Sequence, residues 1–198
     1  MLDCHDGIPV KPDLDGLIDT KEARKLVDTC LERGSNLSLI VSDEHKAEDG
    51  FDVHQIRCSY YSVLNSDDDA YLAARAIQFF APGIPQVYYV GLLAGENDEE
   101  GVRRTGEGRE INRHNFSIDE IEQALGKSAV QRLLALIRFR NEYGAFNGDF
   151  CVLKSASHEV RLEWTQGDLR CTLHIDLKTN RTVIDYVDAE GMSVQYEV

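Results

Sequence analysis

The side chains best suited to chemistry stand at the start of the chain, in Asp3-Cys4-His5-Asp6-Gly7-Ile8. His5-Asp6 is a polar pair of catalytic type, and Gly7 permits a sharp turn straight after the acid. At the C-terminal end of a strand in a (β/α)₈ barrel, such a carboxylate lines the active site and faces substrate. The plainer reading is that Asp6 only caps a turn. A second candidate, Gly126-Lys127-Ser128, ends like a phosphate-binding loop, but Ile121 stands where such a loop needs glycine and no strand precedes it. The cysteines, Cys4, Cys30, Cys58, Cys151 and Cys171, are odd in number and lack C-x-x-C spacing. They read as reduced thiols and small buried apolar groups, not as a disulfide frame or a zinc site.

The elements that must position these groups fall into three regions. From Val10 to Gly50 the chain is polar, with a helix expected over Lys21 to Glu32 (Ala23, Leu26, Val27 and Cys30 on one face) and an acidic loop over Ser42 to Gly50. Asp67-Asp68-Asp69 then places negative charge at a helix start, Tyr71 to Phe80 carries that helix, and Pro82-Gly83 stops it. The apolar run Ile84 to Gly91 reads as a buried strand, and a helix followed by such a strand is barrel or doubly wound grammar. Ser117 and Glu120 form a capping box for a helix that Gly126 interrupts. A longer helix over Ala129 to Tyr143 turns Val130, Leu133, Leu134, Ile137 and Phe139 to one side, with Gly144 as its C-cap. Beyond Asn147-Gly148, apolar and polar residues alternate over Phe150 to Leu153, Val160 to Trp164, Leu169 to Leu177, Thr182 to Val187 and Met192 to Val198, the pattern of a small antiparallel β domain.

Composition narrows the function. The chain has 198 residues, 42% of them hydrophobic and 28% charged, enough for a sizeable core. Its formal charge of −14 and the absence of basic runs disfavour nucleic acid as a partner. No apolar stretch is long enough for a bilayer and no leader pattern opens the chain, which reads as soluble and cytoplasmic with no membrane partner.

Three segments occurring in this order carry a resemblance: His5-Asp6-Gly7-Ile8, then Phe79-Phe80-Ala81-Pro82-Gly83-Ile84-Pro85-Gln86-Val87-Tyr88-Tyr89-Val90-Gly91, then Gly108-Arg109-Glu110-Ile111-Asn112-Arg113-His114. Together with Phe139-Arg140-Asn141 and the final β domain, they resemble the sucrose phosphorylases and their close relatives in the α-amylase superfamily, glycoside hydrolase family 13. The resemblance implies an α/β plus all-β fold. Residues 1–147 would be the C-terminal part of a (β/α)₈ barrel, from the end of strand seven to helix eight, and 148–198 a small antiparallel β domain. It also implies a retaining glucosyltransferase: an Asp nucleophile forms a glucosyl-enzyme, a Glu acts as acid and then base, and inorganic phosphate accepts the glucosyl unit to give α-glucose 1-phosphate. Phosphate would be a co-substrate, with no further cofactor and no metal.

Residue by residue, Asp6 resembles the carboxylate that strengthens hydrogen bonds to ring hydroxyls as the oxocarbenium ion develops, and His5 its sugar-binding neighbour. Arg109 resembles the arginine of the glucose subsite, where a rigid guanidinium fork orders an Asp and bonds sugar hydroxyls; its plainer reading is a structural ion pair. Phe51-Asp52-Val53-His54-Gln55 resembles the mobile acceptor loop, with Asp52 and Gln55 matching. His54 stands where sucrose phosphorylases usually carry Tyr. A histidine can donate to an anion, and relatives that handle sucrose 6'-phosphate carry a similar change, so the expected acceptor bears phosphate or carboxylate, with fructose still open. Nothing in the chain resembles the contexts of the nucleophile or the acid/base, which in this family lie upstream of the His-Asp motif. The chain alone is therefore expected to be inactive and, with barrel edges exposed, to self-associate. The alternative is a noncatalytic structural or carbohydrate-binding module, for which Trp164 is the one obvious stacking platform in the β domain.

Overall fold

The computed structural model describes residues 1–11, 14, 16–42, 44, 46, 48 and 50–198. The acidic loop expected over Ser42 to Gly50 lies in part outside the described residues. In chain order the elements are β1 (Ile8–Pro9), α1 (Thr20–Glu32), β2 (Asn36–Leu39), β3 (Val53–Arg57), α2 (Tyr60–Val63), α3 (Asp68–Phe80), α4 (Tyr89–Leu92), α5 (Glu99–Thr105), a 3₁₀ helix (Gly108–Asn112), α6 (Ile118–Leu125), α7 (Ser128–Glu142), a second 3₁₀ helix (Gly144–Asn147), β4 (Asp149–Val152), β5 (Glu159–Gln166), β6 (Leu169–Asp176), β7 (Arg181–Val187) and β8 (Ser193–Glu197). They group into two compact units, residues 1–66 with 87–122 and residues 67–86 with 123–198.

In the first unit β3 lies between β1 and β2, antiparallel to both, with Ile56 opposite Ile8 on one side and Leu37 on the other. Val53 and Ile56 of β3 are both buried although their spacing of three breaks strict alternation, because the register shifts at His54 between the Leu39–Val53 and Ser38–Gln55 pairs; Phe51, Val10, Cys58 and Val63 join them. Helix α1 covers this layer. Asp19 caps it by accepting from the Glu22 N–H at 2.8 Å, and Ala23, Val27 and Cys30, spaced four and three apart, form the buried stripe. Leu26, expected on that face, is exposed, because the stripe follows the narrower i, i+4, i+7 line and leaves it at the margin.

The second unit is built on a five-stranded antiparallel sheet in sequential order, β4-β5-β6-β7-β8. One face carries Leu162, Trp164, Cys171, Leu173, Ile175 and Ile184, all buried, with α3 packed on α7 and on β7. Asp67 caps α3 through the Ala70 N–H, at 2.8 Å. Arg75 is fully buried on α3; its Nε donates to the Tyr71 hydroxyl at 2.9 Å and its Nη1 to Gln78 Oε1 at 3.0 Å. Trp164 is no exposed platform. It is buried, and its indole N–H donates to the Phe80 carbonyl at 2.7 Å, because an inward position on β5 combined with a ring this large fills the core. The sheet starts at Asp149; the division into domains at 147 and 148 remains a proposal about organisation.

Two expected elements differ in form. Helix α7 ends at Glu142, and Tyr143 rather than a left-handed Gly144 follows it, extended at φ −81°, ψ 118°. The reason is the Tyr143 hydroxyl, which donates to the Val187 carbonyl at 2.7 Å and accepts from the Val187 N–H at 3.3 Å, pinning that residue outside the helix. The run Ile84 to Gly91 is not a buried strand: Ile84 is 92% exposed, Tyr89–Leu92 is a helical turn, and among the described residues 84–88 pair with no strand. Tyr88 is nonetheless extended, at φ −67°, ψ 144°. An apolar run becomes sheet only where another strand takes up its N–H and C=O groups, and both sheets here are built from other segments. Among the described residues no helix is long and apolar enough to cross a membrane, and all five cysteines are free thiols.

Candidate active site

Cys4 to Gly7 form a tight turn, with the Gly7 N–H donating to the Cys4 carbonyl at 3.0 Å, and β1 begins directly after it. Gly7 has φ +106°, and a Cβ there would sit 2.2 Å from the Ile56 carbonyl oxygen. Only glycine therefore lets the turn lie flat against β3. The turn lifts His5 and Asp6 to the surface, with 62% and 37% of their side chains exposed.

The 3₁₀ helix Gly108–Asn112 delivers two side chains to this turn. Asn112, buried, donates from Nδ2 to the Cys4 carbonyl at 2.7 Å. Arg113 donates from Nε to the His5 carbonyl at 3.0 Å and from Nη2 to Asp6 Oδ1 at 3.2 Å. The other oxygen of Asp6, Oδ2, lies 3.1 Å from His5 Nε2. Each carboxylate oxygen thus has one partner and keeps capacity to accept from a ligand hydroxyl. A half-exposed carboxylate held at both oxygens can oppose positive charge developing on a bound sugar ring. The donor atoms of Cys4, His5 and Asp6 lie within 4.8 Å of one another, but the guanidinium on Asp6 already supplies a positive charge there and opposes a metal ion.

Behind Arg113, His114 joins two helix starts. Its Nδ1 is 2.8 Å from Asp98 Oδ2, its Nε2 is 3.0 Å from Glu120 Oε1, and Asp98 also caps α5 by accepting from the Gly101 N–H at 2.7 Å. Both ring nitrogens facing carboxylates raise the pKa of His114, led by the Asp98 bond and only partly offset by burial. Burial acts to raise Asp98, but the Gly101 N–H and His114 outweigh it and the net shift is downward. Glu120 falls to about 2, chiefly through the Ser117 N–H and hydroxyl and then through His114. The capping box is present in both directions: the Ser117 N–H donates to Glu120 Oε2 at 2.7 Å and the Glu120 N–H to the Ser117 hydroxyl at 3.3 Å.

The segment expected as a mobile acceptor loop is in large part a strand. Val53–Arg57 is β3, held by ladders on both sides, and the backbone carbonyl of Asp52, just before it, accepts from the Ile40 N–H at 2.8 Å. His54 is exposed; its Nδ1 donates to the Lys11 carbonyl at 2.9 Å, which leaves Nε2 for a ligand. Gln55 is half-buried opposite Pro9. The His5-Asp6 turn and the His54-Gln55 pair therefore belong to one small sheet. Arg109 sits on the 3₁₀ helix, exposed and with no ion pair among the described residues; the arginine that reaches Asp6 is Arg113. Arg113 and Asn112 lie inside the third motif, yet spacing alone does not tell which arginine of Gly108 to His114 faces the turn.

No protein-family model matches the chain. The crystal structure of the sucrose 6F-phosphate phosphorylase of Thermoanaerobacter thermosaccharolyticum is similar over 100% of this chain and 40% of its own, with TM-score 0.98 at 68% identity. The fold is thereby α/β plus all-β, the C-terminal part of a (β/α)₈ barrel followed by an antiparallel β domain, and its class is the α-amylase superfamily, glycoside hydrolase family 13. Among curated relatives, the sucrose 6(F)-phosphate phosphorylase of Thermoanaerobacterium thermosaccharolyticum is 68% identical over 198 residues, all of this chain and 41% of that one. A sucrose phosphorylase from Agrobacterium vitis is 45% identical over 170 residues, 83% of this chain and 34% of that protein. The chain belongs to the sucrose phosphorylase family and spans about 41% of the length of the first of these relatives.

Proposed function

We propose that this chain contributes the transition-state-stabilising part of a retaining phosphorylase, one that transfers glucose from an α-glucoside to inorganic phosphate and yields α-glucose 1-phosphate. The observation that carries the reading is the Asp6 carboxylate, half-exposed at a turn and held by Arg113 and His5. In the reaction an Asp outside these residues attacks C1 while a Glu protonates the leaving oxygen. Water or phosphate would then attack C1 of the glucosyl-enzyme; with phosphate, the Asp leaves and α-glucose 1-phosphate forms. Asp6 accepts from ring hydroxyls as positive charge grows, His5 stands beside it, and Arg109 reaches the sugar from the 3₁₀ helix.

His54 donates from Nδ1 to the Lys11 carbonyl, so it can also donate from Nε2 only as an imidazolium; in that form it favours an acceptor that carries phosphate or carboxylate, as in sucrose 6'-phosphate or glucosylglycerate; Asp52 and Gln55 flank it. Phosphate is the co-substrate and no further cofactor is needed, and the protein works in the cytoplasm. The isolated chain lacks nucleophile and acid, so it is inactive and associates with itself through unpaired barrel edges. A carbohydrate-binding module loses its support with the burial of Trp164.

Purified chain in phosphate buffer, offered sucrose, sucrose 6'-phosphate and glucosylglycerate, should release no glucose 1-phosphate. Joined to the N-terminal part of the Thermoanaerobacterium thermosaccharolyticum enzyme, it should release it. Turnover by the isolated chain, or an inactive but folded chimera, refutes the proposal.

A further inference from the structure

Resting on that reading, we propose that Arg113 is a positioning residue for the reaction, one that sets the orientation of the Asp6 carboxylate without touching the sugar. Its guanidinium spans the turn. Nε is bonded to a backbone carbonyl, that of His5, and Nη2 to the side chain of the next residue, Asp6. The planar fork therefore ties the direction of the carboxylate to the direction of the backbone that bears it, which a point charge cannot do.

The fork is itself anchored on both sides in sequence. Asn112 ties the preceding residue to the Cys4 carbonyl, the Arg113 N–H donates to the Glu110 carbonyl at 3.0 Å, and His114 is held between Asp98 and Glu120. Arg113 is also the more sheltered partner, with 26% of its side chain exposed against 37% for Asp6, so the carboxylate and not the cation is presented outward. Arg109, exposed and unpaired among the described residues, holds no such place.

A stabilising carboxylate displaced by about 1 Å loses on the order of a hundredfold in rate. In the active chimera, Arg113→Ala should lower kcat by roughly 10- to 100-fold while KM for the glucoside changes by less than about threefold, since the interaction matters chiefly in the transition state. Arg113→Lys should recover only part of kcat, because an ammonium can reach the carbonyl or the carboxylate but does not fix one to the other, and added guanidinium ion should restore part of the Ala variant's rate. An unchanged kcat, or a loss seen wholly in KM, overturns the inference while leaving the proposed function standing. In the isolated chain, the Arg113 Nε–H should show a scalar coupling across its hydrogen bond to the His5 carbonyl. Its absence overturns the inference even if the chimera never turns over.

Discussion

Replacing Gly7 with alanine tests whether the turn that carries Asp6 depends on a backbone only glycine allows. Two costs add. A non-glycine residue at φ +106° is strained by roughly 1–3 kcal/mol. The new Cβ would also lie 2.2 Å from the Ile56 carbonyl oxygen and 3.0 Å from Arg57 Cα. Both are backbone atoms of β3, so relief requires β1 and β3 to separate, at about 1–3 kcal/mol more. The sum, about 2–6 kcal/mol, is a large share of the roughly 5–15 kcal/mol that holds a typical domain. Gly106→Ala is the matched control in the same unit: φ is +74° and nothing lies within 4 Å of the added carbon, so it bears the conformational cost alone. Urea unfolding combined with hydrogen exchange at the β3 amides should show Gly7→Ala destabilising more than Gly106→Ala by about 1–3 kcal/mol, with the loss concentrated in β1 and β3. Equal destabilisation by the two variants refutes the steric argument.

Three further outcomes follow from the same contacts. Because the His114 pKa is raised above its ordinary 6.5, its contribution to stability is full below that value and fades as pH climbs through the folded one; Glu120, lowered to about 2 from 4.5, contributes fully above 4.5 and fades toward about 2. The Tm difference between the parent chain and His114→Gln should therefore be widest between those two ordinary values and shrink on the alkaline side, and a flat difference from pH 5 to pH 9 contradicts the bridge. Trp164→Phe leaves the Phe80 carbonyl without its 2.7 Å donor and should cost about 1–3 kcal/mol in urea unfolding; a loss below about 0.5 kcal/mol shows that bond to be dispensable. Burial pushes the Cys58 and Cys171 thiols up to about 12 and also raises Cys30, whereas Cys151 is exposed. A thiol reagent at neutral pH should label Cys151 first and these three only as fast as the chain opens, so rapid labelling of Cys58 in folded protein argues against its place in the core.

What was legible in the sequence was what local chemistry decides. Asp67 announces a helix start because a carboxylate at that place accepts from the first free N–H groups. Ser117 and Glu120 do the same reciprocally, and the five strands after Asn147 are visible because one face of their sheet is buried. Less legible was anything settled by a group distant in the chain. Nothing around Arg109 or Arg113 states which of them meets Asp6, since the choice depends on how the 3₁₀ helix lies on the Cys4–Gly7 turn. Tyr143 rather than Gly144 ends α7 because of a hydroxyl bonded to Val187. Trp164 looked like a platform and is core, because the inward parity of β5 overrides the habit of tryptophan to show an edge. The resemblance puts His54 on a loop; it lies in β3, at the register shift between Val53 and Gln55, where its carbonyl accepts from the Val10 and Lys11 N–H groups.

The segment 84–91 shows the same dependence in its sharpest form. Its apolar composition is that of a strand buried on both faces, and Tyr88 is already extended, at φ −67°, ψ 144°. Its polar groups are satisfied piecemeal: the Gln86 carbonyl accepts from the Gln78 side chain at 2.7 Å, and the Tyr88 hydroxyl donates to the Asn112 carbonyl at 3.0 Å, while burial holds that phenol above its usual pKa. A strand of a parallel barrel needs a neighbour on each side, and a single chain segment cannot supply them. In the proposed larger enzyme those neighbours, strand one and all of strand seven but its end at the His5-Asp6 turn, would come from residues outside these 198, and the backbone amides of Ile84, Gln86, Val87 and Tyr88 should gain protection from hydrogen exchange in the chimera relative to the isolated chain. If these amides exchange equally fast in both, the run is not a barrel strand and the proposed assembly around Asp6 loses one of its walls.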